Sequence, residues 1–182
     1  MKVVIISQAR MTSTRLPGKV LKQVGGKPLL AYQIERLKRS RMADDIVIAT
    51  TTNDTDLPIV ELCERLHVYC YRGSEEDVLS RYYEAAIKFK ADIVVRVTSD
   101  CPVIDPMVID SVISYFLEKY PDVDYISNTQ ERSFPRGMDT EVFSIQALTE
   151  AFNEAITKPD REHVTPFIRH QGDRYKLGGL TY

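Results

Sequence analysis

The sequence has no apolar run that approaches the roughly 20 residues a helix needs to cross a bilayer. Before Ser7 it carries one lysine and only five apolar side chains, too little for a secretory signal peptide. Its three cysteines, Cys63, Cys70 and Cys101, are odd in number and have no CxxC spacing, which argues against a disulfide framework and against a zinc site. We therefore expect a cytoplasmic protein with no membrane segment.

Acidic residues are almost missing from the first part of the chain. Residues 1–41 carry ten lysines and arginines but a single acid, Glu35, which gives a net charge of +9. The remaining residues carry fourteen cations and twenty-five acids, a net charge of −11. A basic segment on an acidic body favours a local polyanion such as a nucleotide triphosphate. It disfavours nucleic acid, because most of the surface would repel a long phosphate backbone.

Repeats, low-complexity tracts and linker-like stretches are also lacking, so we expect one domain over residues 1–182. Short apolar runs alternate with segments of helical spacing. Strands are expected at 2–7, 44–52, 67–71, 91–99, 124–128, 140–145 and 175–182. Helices are expected at 29–42, 56–66, 75–90, 105–120, 145–157 and 161–170, the last broken at Pro166. This alternation predicts an α/β fold with a mostly parallel sheet, whose ligands bind beyond the carboxyl ends of the strands.

The stretch ARMTSTRLPGKV (residues 9–20) directly follows the first predicted strand. It contains neither GxxxxGK[ST] nor GxGxxG, so neither common phosphate-binding fingerprint applies. Arg10 and Arg15 offer forked donors to phosphate oxygens, Lys19 offers a point charge, and hydroxyls such as that of Ser13 add donors. A phosphate cradle is therefore one interpretation of the stretch, and a solvated basic loop is the other.

The stretch SDCPVIDP (residues 99–106) follows the fourth predicted strand. Asp100 stands where a carboxylate can hold Mg²⁺ shared with substrate phosphates. Asp105 precedes a proline and is better explained as a helix N-cap. Cys101 has no evident catalytic partner and is better explained as a small buried residue. If the fold is parallel, Asp100 faces the basic loop across one sheet edge.

Two further stretches contain candidate residues. In YRGSEEDVLSR (71–81), the Arg72-Gly73 pair leaves the third strand where a base or ribose could approach closely, and the acids that follow suit a helix N-terminus. In PRGMDTEVF (135–143), three charged side chains could hold a hydroxylated or carboxylated second substrate, although a plain turn explains the Gly and Asp equally well. These three are Arg136, Asp139 and Glu141. His163 is a further candidate for the same place.

The chain resembles the cytidylyltransferase family in four stretches that occur in the same order: ARMTSTRLPGK, YRGSEEDVLSR, TSDCPVIDP and RGMDTEVF. The similarity is to the spore coat polysaccharide biosynthesis protein F type in particular, which is a relative of the CMP-sialic acid and CMP-KDO synthetases. The resemblance covers essentially the whole chain. It implies a Rossmann-like, GT-A-like nucleotidyltransferase fold of three α/β/α layers. It also implies transfer of a cytidylyl group from CTP to a sugar or sugar acid in surface or spore coat polysaccharide biosynthesis, with Mg²⁺ as the cofactor.

The resemblance also implies a role for each matching residue. The residues expected to hold the triphosphate are Arg10, Ser13, Arg15 and Lys19. Arg72 and Ser80 would lie near the base and ribose, and Asp100 would hold the metal. Catalysis would depend on Lys19, Arg15 and Asp100: the two cations, with the Mg²⁺ that Asp100 holds, would stabilise charge on the departing pyrophosphate, and no covalent enzyme nucleophile is needed. Arg136, Asp139 and Glu141 fall where the sugar is expected.

Members of the family usually continue into a further acidic segment that supplies a second metal-binding aspartate, and we expect the domain of residues 1–182 to lack it. A homodimer is compatible with the resemblance. Two other functions fit the same pattern. One is a nucleotide-sugar-dependent glycosyltransferase, although such enzymes usually carry a DxD-like motif and SDC lacks its second acid. The other is a non-catalytic nucleotide-binding module.

Overall fold

Seven strands form one continuous sheet at the centre of the molecule, and the computed structural model describes residues 1–182. The strands are β1 (Val3–Gln8), β2 (Asp45–Thr51), β3 (Tyr69–Gly73), β4 (Ile93–Thr98), β5 (Tyr125–Ser127), β6 (Glu141–Ser144) and β7 (Leu177–Gly179). Their spatial order is β3-β2-β1-β4-β6-β5-β7, and only β6 runs antiparallel to its neighbours. The prediction of a mostly parallel sheet is confirmed.

Helices cover both faces of this sheet. They are α1 (Leu29–Leu37), α2 (Leu57–Arg65), α3 (Val78–Lys88), α4 (Pro106–Lys119), α5 (Ile145–Glu154), α6 (Lys158–His163) and α7 (Pro166–Arg169). Two 3-10 turns, Lys19–Leu21 and Asp54–Asp56, and a two-stranded ladder of Gln23–Val24 with Lys27–Pro28 complete the regular structure. No helix combines the length and the apolar character that a membrane span requires.

The two faces of β1 show why its sequence is apolar without alternation. Val4 and Ile6 pack with α3, α5 and α7 on one side of the sheet. Val3 and Ile5 pack with α4 on the other side, where α1 and α2 cover the neighbouring strand β2. A strand buried on both faces has no solvent side that would require polar residues. The result is the predicted three-layer α/β/α arrangement.

Some predicted boundaries differ from the observed ones for identifiable reasons. Helix α1 ends at Leu37, before the predicted end at residue 42, because the carboxylate of Asp110 on α4 accepts hydrogen bonds from the Ser40 hydroxyl (2.5 Å) and the Arg41 backbone N–H (3.0 Å). Strand β3 starts at Tyr69, since a turn with His67 at φ 49° ends α2 first. The predicted break at Pro166 is confirmed, because α6 and α7 are separate helices.

One fully buried carboxylate, that of Asp56, joins the end of β2 to the loop after β1. It accepts hydrogen bonds from the backbone N–H groups of Met11 (2.8 Å) and Thr51 (3.2 Å), and from the hydroxyls of Thr50 (3.1 Å) and Thr51 (2.5 Å). Because a buried charge is tolerated only when its hydrogen bonds are satisfied, this network fixes where the basic loop starts.

Replacing Asp56 should therefore destabilise the fold. Asp56→Ala leaves several buried donors without an acceptor, and we expect it to lower the free energy of unfolding by about 1.5–3 kcal/mol. Urea denaturation followed by circular dichroism measures this difference. Asp54→Ala, at an exposed position two residues earlier, is the matched control and should stay within about 0.5 kcal/mol of the parent. Equal stabilities for the two variants would show that the Asp56 network does not anchor the loop.

Candidate active site

The loop after β1 folds back on itself before it reaches the helical layer. The backbone N–H of Gly18 donates to the carbonyl of Met11 at 2.8 Å, which closes the loop. Gly18 has φ 69°, a left-handed conformation that favours glycine, and the 3-10 turn Lys19–Leu21 starts directly after it. This turn brings the Lys19 side chain back over the carboxyl edge of the sheet.

Lys19 meets Asp100 at that edge. The Lys19 ammonium donates to the Asp100 carboxylate at 3.1 Å, although 81 residues separate them in the chain. Partial burial raises the pKa of Asp100, but the interactions with Thr98 and Lys19 outweigh it, so that this pKa lies below its usual value. Asp100 is therefore a carboxylate at neutral pH, and the predicted meeting of the basic loop with Asp100 is observed.

A cavity of about 180 Å³ surrounds this ion pair, and we call it the strand-end pocket. It is lined by Gln8, Ala9, Arg10, Ser13, Lys19, Val20, Arg81, Thr98, Ser99 and Asp100. Most of these side chains are polar, and three of them are cationic. A larger groove of about 640 Å³, near Asp44, Asp45 and His67, lies at the opposite edge, beside the start of β2. The strand-end pocket is the better candidate, because parallel sheets bind ligands beyond the carboxyl ends of their strands.

The structure brings together some of the residues predicted to bind the nucleotide. Four of them line the strand-end pocket, namely Arg10, Ser13, Lys19 and Asp100. Arg15 is exposed in the same loop and does not line the pocket. The roles of these residues in ligand binding stay predictions. The position of Arg10, Ser13, Lys19 and Asp100 around one cavity is compatible with those roles.

Arg72 and Ser80 lie outside the strand-end pocket. The Arg72 guanidinium donates to the backbone carbonyls of Thr51 (3.0 Å), Thr52 (2.8 Å) and Asn53 (3.0 Å). Its side chain thus holds the chain that leaves β2. The Ser80 hydroxyl donates to the Asp77 carbonyl at 2.9 Å within the first turn of α3. The proposed contacts of both residues with a base or ribose stay predictions.

Glu75 has a different position from the helix N-terminus expected for it. It precedes α3, and its carboxylate accepts from the Thr12 hydroxyl and from the Asn53 side-chain amide (2.5 Å). Arg10 lies 3.7 Å from the same carboxylate. These hydrogen bonds, with a smaller effect of Arg10, hold the pKa of Glu75 below its usual value. The loop after β3 therefore contacts the loop after β1. This agrees with the expectation that the loops after β1, β3 and β4 lie at the same edge of the sheet.

Arg81 is the one charged lining residue to which the sequence reasoning gave no role. It is 1% exposed on α3, and burial is the main reason that the pKa of its guanidinium is lowered. A signal for this was present in the sequence, since Val78, Tyr82 and Ala85 recur at helical spacing and position 81 falls within the same buried arc. A cation inside such an arc is unusual, because arginines are rarely buried completely.

A second cavity of about 260 Å³ adjoins the strand-end pocket and shares Thr98 with it. We call it the neighbouring pocket. It is lined by Arg96, Val97, Thr98, Thr129, Arg132, Asp139, Glu141, His163, Thr165 and Arg169. Asp139 and Glu141, both predicted to bind the second substrate, and His163 therefore lie in one cavity. Arg136 is exposed on the preceding loop and does not line it, so its predicted role has no support from this placement.

Glu141 is already saturated with partners from the protein. Its carboxylate accepts from the hydroxyls of Tyr125 (2.6 Å) and Thr165 (2.7 Å) and pairs with Arg96. Burial raises the pKa of Glu141, but the Arg96 charge and these hydrogen bonds outweigh it, so that the pKa lies below its usual value. Glu141 thus fixes the wall of the neighbouring pocket. Asp139 is more accessible and is held by Arg132 through two contacts, at 3.1 and 3.2 Å.

The structure contains no cluster of three or more His, Cys, Asp or Glu side chains that could hold a metal ion unaided. At the strand-end pocket the available ligand is Asp100, whose side chain is 46% exposed. Mg²⁺ is commonly held by one or two carboxylates together with substrate phosphates and water. The donor set fits a Mg²⁺ ion that arrives with a polyphosphate.

Comparisons with known proteins agree with this geometry. The profile of the family described as Cytidylyltransferase matches residues 3–180. An uncharacterised protein of Methanocaldococcus jannaschii is 41% identical over 97% of this chain and 71% of its own length. The spore coat polysaccharide biosynthesis protein SpsF of Bacillus subtilis is 34% identical over 96% of this chain and 73% of its own length. A 3-deoxy-manno-octulosonate cytidylyltransferase of Chlamydia trachomatis is 31% identical over 94% of this chain and 69% of its own length.

The fold shows the same relationship. The solved structure of a cytidylyltransferase from Leptospira borgpetersenii superposes with a TM-score of 0.96 at 35% identity, over 100% of this chain and 76% of that one. The resemblance inferred from the four sequence stretches is confirmed. On the family profile, the relatives and the fold together, this chain belongs to the cytidylyltransferase family.

Proposed function

We propose that the protein transfers a cytidylyl group from CTP to a sugar acid and releases pyrophosphate, in the synthesis of a surface or spore coat polysaccharide. The observation that carries the proposal is the pair of adjoining pockets that share Thr98, one with Lys19 and Asp100 and the other with Asp139. A transferase for two substrates needs two such sites in contact. The names of the Bacillus and Chlamydia relatives support the polysaccharide and the sugar acid.

The strand-end pocket is the proposed nucleotide side. Arg10 and Lys19 bring positive charge to the phosphates, and the Ser13 hydroxyl adds a donor. Phosphoryl transfer requires the attacking oxygen to lie in line with the leaving group, so positioning and charge neutralisation provide most of the rate enhancement. Arg15 is exposed in the same loop and would have to turn toward the pocket to contact the departing pyrophosphate.

Asp100 would hold a Mg²⁺ ion that accompanies the triphosphate. When bound, the ion neutralises phosphate charge and polarises the phosphorus centre. Lys19 contacts Asp100 at 3.1 Å and is therefore held at the same point of the sheet edge, where its ammonium can move to a phosphate oxygen. The low pKa of Asp100 keeps the carboxylate available as a ligand at neutral pH.

The neighbouring pocket is the proposed acceptor side. Arg132 and Arg169 provide exposed guanidinium groups that suit the carboxylate of a sugar acid, and Asp139 can accept hydrogen bonds from sugar hydroxyls. The buried pair of Arg96 and Glu141 keeps the floor of this pocket rigid, so that the attacking hydroxyl is presented beside Thr98.

Removal of the Asp100 carboxylate should slow turnover strongly without unfolding the protein. With CTP, Mg²⁺ and a panel of sugar acids, the parent should release pyrophosphate, and Asp100→Asn should be slower by about 10²-fold or more. Asp122→Asn removes an equivalent charge at an exposed position just beyond the C-terminal end of α4, and it should retain the parental rate. Pyrophosphate release at the parental rate by Asp100→Asn would exclude the proposed role.

Asp139 should affect the acceptor and leave the nucleotide unaffected. Loss of a charged hydrogen bond corresponds to about a 10- to 100-fold change in affinity. We therefore expect Asp139→Asn to raise the KM for the sugar acid by about this factor, with the KM for CTP unchanged. Initial rates with each substrate varied in turn measure both constants. Asp173→Asn, an exposed position, is the control; a rise in the KM for CTP alone would contradict the assignment of the two pockets.

A further inference from the structure

Arg81 is almost completely buried, yet its guanidinium is only partly satisfied by the protein. One Nη atom donates to the Ser74 carbonyl at 2.8 Å. The Nε atom is buried and has no hydrogen-bond partner. Since buried polar groups are nearly always paired, an orphaned donor on a charged group indicates a missing partner.

No carboxylate pairs with Arg81 either. Two other partly buried arginines each have an acid within 4.0 Å: Arg96, whose Nε atom is likewise without a hydrogen-bond partner, pairs with Glu141, and Arg161 pairs with Asp77. Arg81 forms no such ion pair, although it is less exposed than either. Moving a charged group out of water without a counter-charge costs free energy. Charged groups kept in such an environment occur most often at binding and catalytic sites.

The surroundings of Arg81 indicate the sign of the missing partner. Arg81 lines the strand-end pocket with Arg10 and Lys19, so three cations face a single carboxylate, that of Asp100. Gln8 lines the same pocket, and its Oε1 is also buried without a partner. The unpaired Gln8 oxygen is an acceptor and needs a donor, so it does not bear on an anion; the unpaired Nε donor of Arg81 and the excess of positive charge are what favour a polyanionic ligand there.

Gly73, at the end of β3, makes the position of Arg81 possible. A Cβ atom at Gly73 would lie 3.1 Å from Cγ of Arg81 and 3.4 Å from its Cβ. Contacts this short would push α3 away from the strand or displace the arginine stem. The prediction that the Arg72-Gly73 pair lets a ligand approach closely stays a prediction; the structure shows that the glycine makes room for Arg81.

We propose that Arg81 is a phosphate-binding residue of the strand-end pocket, which supplies from inside the protein a positive charge that has no carboxylate within 4.0 Å. Its ligand is the polyphosphate chain of a nucleotide. The nucleotide identity rests on the proposed function, whereas the polyphosphate site rests only on the charges and contacts around Arg81. A guanidinium fixed by its Ser74 contact also loses little conformational freedom when an anion binds.

The test compares Arg81→Met with two other arginine variants. Met keeps the length of the stem and removes the charge. Arg65→Met, at an exposed position on α2, controls for net charge, and Arg161→Met removes an arginine that has an acid partner. Inorganic tripolyphosphate and cytidine are the probes, measured by calorimetry, and thermal denaturation without ligand reports stability.

We expect Arg81→Met to melt at or above the parental temperature, because a buried charge without a partner is removed, and to bind tripolyphosphate at least about tenfold more weakly. Cytidine affinity should be unchanged. Arg161→Met should melt lower, since Asp77 loses its partner, and Arg65→Met should resemble the parent in both respects. If Arg81→Met does not fold, Arg81→Lys retains the charge without the fork and should still bind tripolyphosphate more weakly than the parent.

Three results would overturn the proposal: no binding of tripolyphosphate by the parent, parental affinity in both Arg81 variants, or a loss of cytidine affinity with tripolyphosphate affinity unchanged. Failure of the proposed function has a different signature. In that case tripolyphosphate binding still depends on Arg81, but no sugar acid yields pyrophosphate from CTP.

Discussion

The parallel pairing of β1 with β4 determines where the chemistry of this chain can occur. In this pairing Gln8 stands opposite Thr98, so the segments that leave the two strands start side by side at one edge. Arg10 lies two residues after Gln8, and Asp100 lies two residues after Thr98. The hydrogen bond from Gly18 to Met11 closes the loop after β1 and brings Lys19 back to Asp100. Without this register the basic loop and the acidic residue would be unrelated surface features.

Much of this edge could be predicted from the sequence, because it follows from local patterns. The apolar run of β1 showed a strand buried on both faces, and alternation with helical segments showed parallel pairing. Asp105 before a proline predicted an N-cap, and it accepts from the Met107 backbone N–H at 2.9 Å. Once the strands are parallel, the convergence of Lys19 and Asp100 needs no further information.

The residues that escaped prediction act through contacts distant in sequence. Asp56 is near its own helix, but its function depends on Met11 in another loop. Glu75 appeared to be a helix-terminal acid, and only the tertiary fold places it beside Thr12. Recognising Arg81 as a candidate required knowing that no acidic side chain lies within ion-pair distance of it. The helical spacing of apolar residues does not contain this information. Charge type and spacing indicate which groups are present, whereas their partners are set by the packing of separate elements.

Thr98 is the only lining residue that the strand-end pocket and the neighbouring pocket share, and this affects how the substrate specificity of such an enzyme can change. Apart from Thr98, the strand-end pocket is built from residues 8–20, Arg81 and residues 99–100, and the neighbouring pocket from 96–97 and 129–169. The two sets of side chains lie on different loops and helices. If the neighbouring pocket binds the second substrate as proposed, mutations there can remodel its recognition while the strand-end pocket keeps its geometry. A family built on this plan can accumulate new sugar specificities one surface at a time.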